Sequence, residues 1–167
     1  MKLLKLILRS YIGLSMENIL DSTTQKEIEN RILSLNESSN RLWGKMNVNE
    51  MICHCSDQIR IAFGELPSKD VGNVLLKTVL KHLILLGIPA PKGKVETVPE
   101  LKQGLKGTKP SLFDKDKNTL VDFLQTFQIR IEKKPNQVHP AFGVLSTKQW
   151  ARLCYLHLDH HLKQFSA

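Results

Sequence analysis

Apolar residues recur at the spacing of amphipathic helices along most of the chain, and the alternation typical of strands is scarce. A first helix is predicted over 24–36, with Ile28, Ile32 and Leu35 on its inner face. Because the later segments carry comparable patterns, the chain is predicted to be all-α.

Two of the predicted helices begin at a capping box, in which a polar cap residue and the residue three positions later bond to each other's backbone. The first is "NVNE", where Asn47 precedes a helix that is expected to reach about Phe63. The second is "STKQ", where Ser146 precedes a final helix that is expected to reach about Phe165. These motifs define where the two helices start.

Two further apolar stripes lie between these helices. One predicts a helix over 71–86 that ends at Gly87 and Pro89, and its stripe consists of Leu75, Leu76, Val79, Leu80 and Leu83. The other predicts a helix over 116–133, and its stripe consists of Leu120, Phe123, Leu124, Phe127 and Ile131. Helices of this length suggest an antiparallel four-helix bundle that forms a single domain over 21–167.

The N-terminal stretch "MKLLKLILRSYIGL" is predicted to add an extra amphipathic helix within an extension over 1–20. Lys5 and Arg9 interrupt the apolar run, so it is neither a signal peptide nor a membrane span. We interpret it as a helix packed on the domain. The alternative is a helix that binds a membrane surface or a partner, and the segment is compatible with a homodimer.

The formal charge of +8 is concentrated in residues 1–15 and in a loop over 88–115. This loop is rich in Pro, Gly and Lys, and loops of such length are either functional lids or solvated surface segments. Both interpretations stay open. An odd set of three cysteines without a secretion signal favours a reduced, cytoplasmic protein.

Three histidines stand close together in "YLHLDHHLKQF", near the end of the last predicted helix. Since each helical residue advances about 100° around the axis, His157 and His161 share the face of Trp150 and Leu153. His160 lies at the edge of that stripe. Two imidazoles one turn apart can bind one cation, but two ligands rarely suffice. A metal site therefore needs a ligand from elsewhere.

The helical pattern alone does not supply that ligand. His54 shares its face with Glu50 and Asp57, and this polar face predicts a solvated histidine. Its neighbours Cys53 and Cys55 point about 100° away on either side, so the three cannot close on one ion. We interpret these cysteines as small buried hydrophobes.

Two other residues near these motifs have ordinary interpretations. His139 precedes a proline in a predicted turn, so a structural or capping role is expected. Cys154 lies one turn before His157, where a thiolate would reach a bound ion. We interpret Cys154 as an apolar neighbour, because free cysteines are usually buried.

Four stretches together resemble the DinB/YfiT-like superfamily of metalloenzymes, namely "WGKM", "MICHCSDQIRIAFGE", "HPAFGVLSTKQW" and "HLDHHLKQF". Such proteins are four-helix bundles that hold a metal with three histidines, one from the second helix and two from the last. By this resemblance the metal ligands are His54, His157 and His161. It also makes Asp57 a candidate to orient a ligand or hold a water beside the metal. The chain departs from the turn motif at Ala141, where a bulkier residue is usual.

Three neutral imidazoles leave coordination positions open for water or substrate, as in catalytic sites. Zinc, nickel and ferrous iron all suit these ligands. The resemblance implies a metal-dependent transferase or hydrolase that acts on a small-molecule substrate, with a low-molecular-weight thiol as cofactor. In the basic loop, Lys92, Lys94 and Lys106 are candidate contacts for such an anionic ligand.

The alternative function is a non-catalytic basic module that binds nucleic acid or another anionic ligand and keeps a structural metal. A pI of about 9.5 fits a nucleic-acid binder. However, the chain has no recognition-helix motif and no arginine-rich stripe, and lysine-rich surfaces are common on soluble proteins. A nucleic-acid partner is therefore not favoured.

Overall fold

The computed structural model describes residues 16–88 and 101–167, and these are mostly helical, which confirms the all-α prediction. The helices are α1 (Ser22–Ser34), α2 (Val48–Ala62), α3 (Lys81–Leu85), α4 (Phe113–Gln125), α5 (Phe127–Lys133) and α6 (Thr147–Gln164). A π-helical turn, Leu76–Leu80, directly precedes α3. The strands of the described residues are β1 (Val138–His139) and β2 (Gly143–Val144), which pair antiparallel.

The four longer helices share one hydrophobic core. α1 and α2 each pack against α4 and α6. Ile28, Ile32 and Leu35 are buried in this core, as the periodicity of the first helix predicts. The largest fully buried side chains include Trp150, Phe63, Phe127, Met51, Leu120 and Leu124.

Both predicted capping boxes are present at the helices that carry the predicted ligands. At α2, Asn47 Oδ1 accepts a hydrogen bond from Glu50 N at 2.9 Å, and Glu50 Oε2 accepts one from Asn47 N at 2.8 Å. At α6, Ser146 and Gln149 exchange the equivalent bonds at 3.3 and 3.0 Å. These bonds satisfy two otherwise free N–H groups at each helix and fix where it starts.

The helix α2 is buried on nearly all sides, because 12 of its 15 residues are shielded from solvent. His54 is only 4% exposed and Asp57 is 0% exposed. The prediction from periodicity that His54 is solvated is therefore wrong. The polar face is covered by the chain around Leu101 and Thr108, which a helical pattern within α2 does not reveal. Cys53 and Cys55 are buried, as predicted.

The apolar stripe predicted over 71–86 is not buried. Leu75 and Val79 are 64% and 53% exposed, and the buried residue of this region is Leu85. The segment is attached near its C-terminal end, where Arg152 Nε of α6 donates to the Leu85 carbonyl at 3.0 Å. The stripe therefore faces solvent instead of the core.

The helix predicted over 116–133 is divided into α4 and α5. The break lies at Thr126, whose hydroxyl donates to the Asp122 carbonyl at 2.7 Å. Such a bond to the residue four positions earlier bends helices. The apolar stripe is maintained across the break, because Leu120, Leu124, Phe127 and Ile131 are all buried.

Two predicted features lie outside the described residues. These are the amphipathic helix over 1–15 and the part of the basic loop over 89–100, which includes Lys92 and Lys94. None of the described helices has the length and apolar character that crossing a bilayer requires.

The turn between the two strands is organised by His139. Its Nδ1 accepts hydrogen bonds from the backbone N–H groups of Ala141 at 3.1 Å and Phe142 at 3.2 Å. The ring stacks on Phe142 and packs against Trp150, with centroid distances of 4.6 and 5.4 Å. The predicted capping role is confirmed, and Nδ1 must be unprotonated to fulfil it.

We expect His139→Ala to lower the free energy of unfolding by about 1–2 kcal/mol, because two N–H groups lose their acceptor. His139→Asn places an amide oxygen where Nδ1 lies and should recover part of this loss. Urea denaturation of both variants tests the expectation. Equal losses would contradict the capping role.

Burial lowers the pKa of His139 from 6.5 to about 4. The unfolded chain therefore binds a proton that the folded turn does not bind, and stability should fall as the pH decreases from 6.5 towards 4. The non-titrating His139→Asn variant should lose less stability over this interval. Urea denaturation at pH 7 and pH 5 measures the difference, and parallel losses would count against the assignment.

Candidate metal centre

The structure brings together the three predicted ligands, His54 from α2 and His157 and His161 from α6. One ring nitrogen of each lies within 4.8 Å of the other two. His54 and His161 are buried, and His157 is half-buried. Among residues 16–88 and 101–167, these histidines are the only group of three or more His, Cys, Asp or Glu side chains that lie close enough together to hold a metal ion.

The three rings form a nearly equilateral triangle. Their centroids are 4.8 Å apart for His54 and His157, 4.8 Å for His54 and His161, and 4.7 Å for His157 and His161. The Nε2 atoms of His54 and His157 are 3.0 Å apart. Nitrogens bound to one zinc ion at about 2.0–2.1 Å in tetrahedral geometry lie about 3.3 Å from each other. The separation of this pair is therefore close to that of two nitrogens on one ion, and the three ring nitrogens lie within 4.8 Å of one another.

The orientation of His54 is set by a backbone carbonyl. Its Nδ1 lies 2.8 Å from the Leu101 oxygen. A carbonyl only accepts hydrogen bonds, so Nδ1 carries the proton in the neutral ring and Nε2 carries the lone pair. Metal-binding histidines commonly have this arrangement, with the second nitrogen bonded to an acceptor.

The orientation of His161 is set by Gln164. The His161 Nδ1 lies 3.0 Å from the Gln164 Oε1, while the Gln164 amide nitrogen donates to the Trp43 carbonyl. Because the Trp43 carbonyl requires a donor, the NH₂ group of Gln164 faces Trp43 and its amide oxygen faces His161. That oxygen accepts a hydrogen bond from His161 Nδ1–H. In His161, as in His54, the proton is therefore on Nδ1 and the lone pair is on Nε2.

The Trp43 turn must leave room for this amide. Gly44 has φ +84°, and a Cβ at this position would lie 2.1 Å from Gln164 Nε2. Both the left-handed backbone and the close approach therefore require glycine. The "WGKM" stretch and the end of α6 thus together set the orientation of His161.

His157 differs from the other two histidines. Its Nδ1 is buried and has no hydrogen-bond partner among the described residues. Since His54 carries its proton on Nδ1, the short contact between the two rings is a bond from His157 Nε2–H to His54 Nε2. A cation bound here would take the place of that proton, and neutral His157 would then carry its proton on Nδ1.

Burial keeps all three rings neutral. It lowers the pKa of His54, and it lowers that of His157 well below the ordinary 6.5, with further contributions from neighbouring histidines. Burial likewise lowers the pKa of His161 to about 3. Neutral imidazole is the form that binds metals, so none of the rings has to lose a net proton before a cation binds at neutral pH.

Asp57 lies outside the ligand triangle. Its carboxylate accepts hydrogen bonds from the backbone N–H and hydroxyl of Thr108, at 2.7 and 2.6 Å, and from Arg60 at 3.1 Å. Lys106 is exposed in the same segment as Thr108, whereas Lys92 and Lys94 lie outside the described residues.

Two further residues of α6 have defined places beside the triangle. Cys154 is completely buried, burial raises the pKa of its thiol, and it is not a member of the ligand group. This agrees with the prediction of an apolar neighbour. His160 is exposed, and its ring centroid lies 5.0 Å from that of His161 and 6.2 Å from that of Trp43.

Sequence reasoning did not identify the residues that orient the ligands. Gln164 follows His161 by three positions, and this spacing places both on one helix face. That spacing was the available signal for Gln164. The contact with Leu101 cannot be recognised from residue types, because it uses a backbone carbonyl that lies far from His54 in the sequence.

The model of a family described as "Protein of unknown function (DUF1569)" matches residues 15–167. The matched range includes the three histidines and the residues that orient two of them. Neither the curated proteins nor the solved structures gave a match.

We expect Gly44→Ala to weaken metal binding by about tenfold, because the new methyl group displaces the Gln164 amide from His161. Gly87→Ala is the matched control. Gly87 also has a positive φ, and its Cβ would meet a flexible side-chain end, that of Arg152. Competition with a chromophoric chelator measures both affinities. Equal affinities for the two variants would contradict the role of Gln164.

Proposed function

We propose that this chain, which belongs to the DUF1569 family of proteins of unknown function, is a metal-dependent enzyme. The metal would be held by His54, His157 and His161. The observation that carries the proposal is the convergence of three neutral imidazoles from distant parts of the chain. The protons of two of them are held away from the common point by Leu101 and Gln164.

We also propose that the chain has the antiparallel four-helix bundle of the DinB/YfiT-like superfamily. The packing of α1 and α2 against both α4 and α6 supports this arrangement. So does the origin of the ligands, one from the middle of α2 and two from the last turns of α6.

A catalytic metal is favoured over a structural one by the number of ligands. Structural zinc sites use four protein ligands, whereas catalytic sites use three and keep a position for water or substrate. Among the described residues the group contains three members. A bound zinc, nickel or ferrous ion would supply a Lewis acid that activates a water or thiol.

The surroundings of the site suggest how a substrate reaches it. His54 and His161 are buried, so the protein excludes water from their sides of the triangle. His157 is half-buried, the exposed His160 lies next to His161, and the half-buried Trp43 lies next to His160. We propose that a small substrate enters past these residues.

For the reaction we propose transfer to or from a low-molecular-weight thiol, or hydrolysis. The support is the sequence resemblance together with the position of the basic loop. The Leu101 carbonyl contacts His54, so Lys102 follows directly after a residue at the site. Lys102, Lys106 and Lys109 are exposed and offer positive charge to an anionic thiol.

The proposed ligands can be tested by metal analysis of protein purified without a histidine tag. We expect about one ion per chain in the wild type, as for other three-histidine sites. His54→Ala and His161→Ala should lose it, while His82→Ala and His160→Ala serve as controls at exposed histidines. Wild-type metal content in both ligand variants would refute the three-histidine assignment.

Catalysis is tested separately, with a panel of thiol-transfer and ester or amide hydrolysis substrates. Metal-loaded wild type is expected to show turnover that chelation and His161→Ala abolish. A lower melting temperature after chelation, without turnover on any substrate, would favour the non-catalytic module with a structural metal. A gel shift at low salt would favour the nucleic-acid alternative. The homodimer and the cytoplasmic location stay predictions.

A further inference from the structure

A short segment from Leu101 to Thr108, here called the strap, is attached to α2 at both of its ends. At one end the Leu101 carbonyl accepts a hydrogen bond from His54 Nδ1–H at 2.8 Å. At the other end Thr108 donates two hydrogen bonds to Asp57. His54 and Asp57 are three positions apart and are therefore neighbours on the helix surface. The strap connects a predicted metal ligand with a buried carboxylate.

The Asp57 end of the strap is firmly held. The carboxylate is completely buried, and a buried charge is costly unless it is hydrogen-bonded. Its oxygens accept from Thr108 N at 2.7 Å, from Thr108 Oγ1 at 2.6 Å and from Arg60 Nη1 at 3.1 Å. Bonds to a charged acceptor are stronger than neutral ones. Breaking the Thr108 contact would leave the carboxylate with one recorded donor, Arg60.

The interior of the strap is compact. The backbone N–H groups of Leu105 and Gly107 both donate to the Lys102 carbonyl, at 3.1 and 3.2 Å. A Cβ on Gly107 would lie 3.1 Å from that same oxygen, and Gly104 has φ +81°. The turn between Lys102 and Gly107 is therefore closed by its own hydrogen bonds.

The Leu101 end determines how His54 is presented. The Leu101 side chain is 4% exposed and belongs to the hydrophobic core. The Leu101 carbonyl selects the tautomer of His54 and the plane of its ring. As a result His54 Nε2 points at His157, at 3.0 Å.

We propose that Asp57 and Thr108 are positioning residues for His54 and act on it through the strap. They keep the Leu101 carbonyl on Nδ1, and thereby keep the lone pair of Nε2 at the metal position. The consequence for metal binding rests on the proposed function, whereas the consequence for the tautomer does not. Asp57 accordingly supports the centre by holding a loop, since its recorded hydrogen bonds go to Thr108 and Arg60.

Thr108→Val tests the inference, because it removes the hydroxyl bond to Asp57, together with the bond that the hydroxyl accepts from Arg60, and keeps the backbone bond. Thr108→Ser restores the hydroxyl. Thr126→Val is the matched control, since it removes a hydroxyl bond to Asp122 at the break between α4 and α5. Circular dichroism confirms that each variant is folded before it is compared with the wild type.

The first measurement uses metal-free protein and reads the His54 tautomer from the ring nitrogen shifts in long-range ¹H–¹⁵N spectra. We expect the Nδ1–H form in the wild type, Thr108→Ser and Thr126→Val, and a mixture of tautomers in Thr108→Val. The second measurement is Co²⁺ affinity and the visible spectrum of the Co²⁺ protein. Thr108→Val should bind about tenfold more weakly with a shifted spectrum, as for other groups that orient metal ligands.

The outcomes separate this inference from the proposed function. Wild-type tautomer, affinity and spectrum in Thr108→Val would overturn the inference and leave the metal site intact. An Nε2–H form of His54 in the wild type would also overturn it, whatever the variants do. A wild type that binds no Co²⁺ would overturn the proposed function, and the tautomer measurement would still decide whether the strap orients His54.

Discussion

The centre depends on the hydrogen bonds that hold the outer nitrogens of two histidines. An imidazole offers a lone pair at Nε2 only when its proton is on Nδ1, and a buried Nδ1–H needs an acceptor. His54 has the Leu101 carbonyl and His161 has the Gln164 amide oxygen. Each acceptor is in turn fixed by another part of the chain, the strap in one case and the Trp43 turn in the other.

These contacts explain why residues far apart in the sequence act together. Gly44 accommodates the amide that orients one candidate ligand, and Asp57 accepts hydrogen bonds from the segment that contacts another. The burial of α2 and of His161 on α6 makes both necessary, because polar groups inside a protein must find partners within it. The same burial keeps the three rings neutral and therefore able to bind a cation.

The sequence predicted the features that depend on local chemistry. Capping boxes placed the starts of α2 and α6, and helical spacing placed His157 and His161 on one face. Periodicity alone misplaced His54, because the strap that covers it comes from a distant loop. It also gave no sign that the stripe around Leu75 stays exposed or that Thr126 divides a helix, since both depend on contacts rather than on hydrophobic pattern.

The most direct test of the account is a crystal structure of tag-free protein with anomalous data collected across the zinc, nickel and iron edges. We predict one ion bound by the Nε2 atoms of His54, His157 and His161, with at least one position left for water or substrate. An ion bound elsewhere, or a His54 ring turned away from the two histidines of α6, would contradict it.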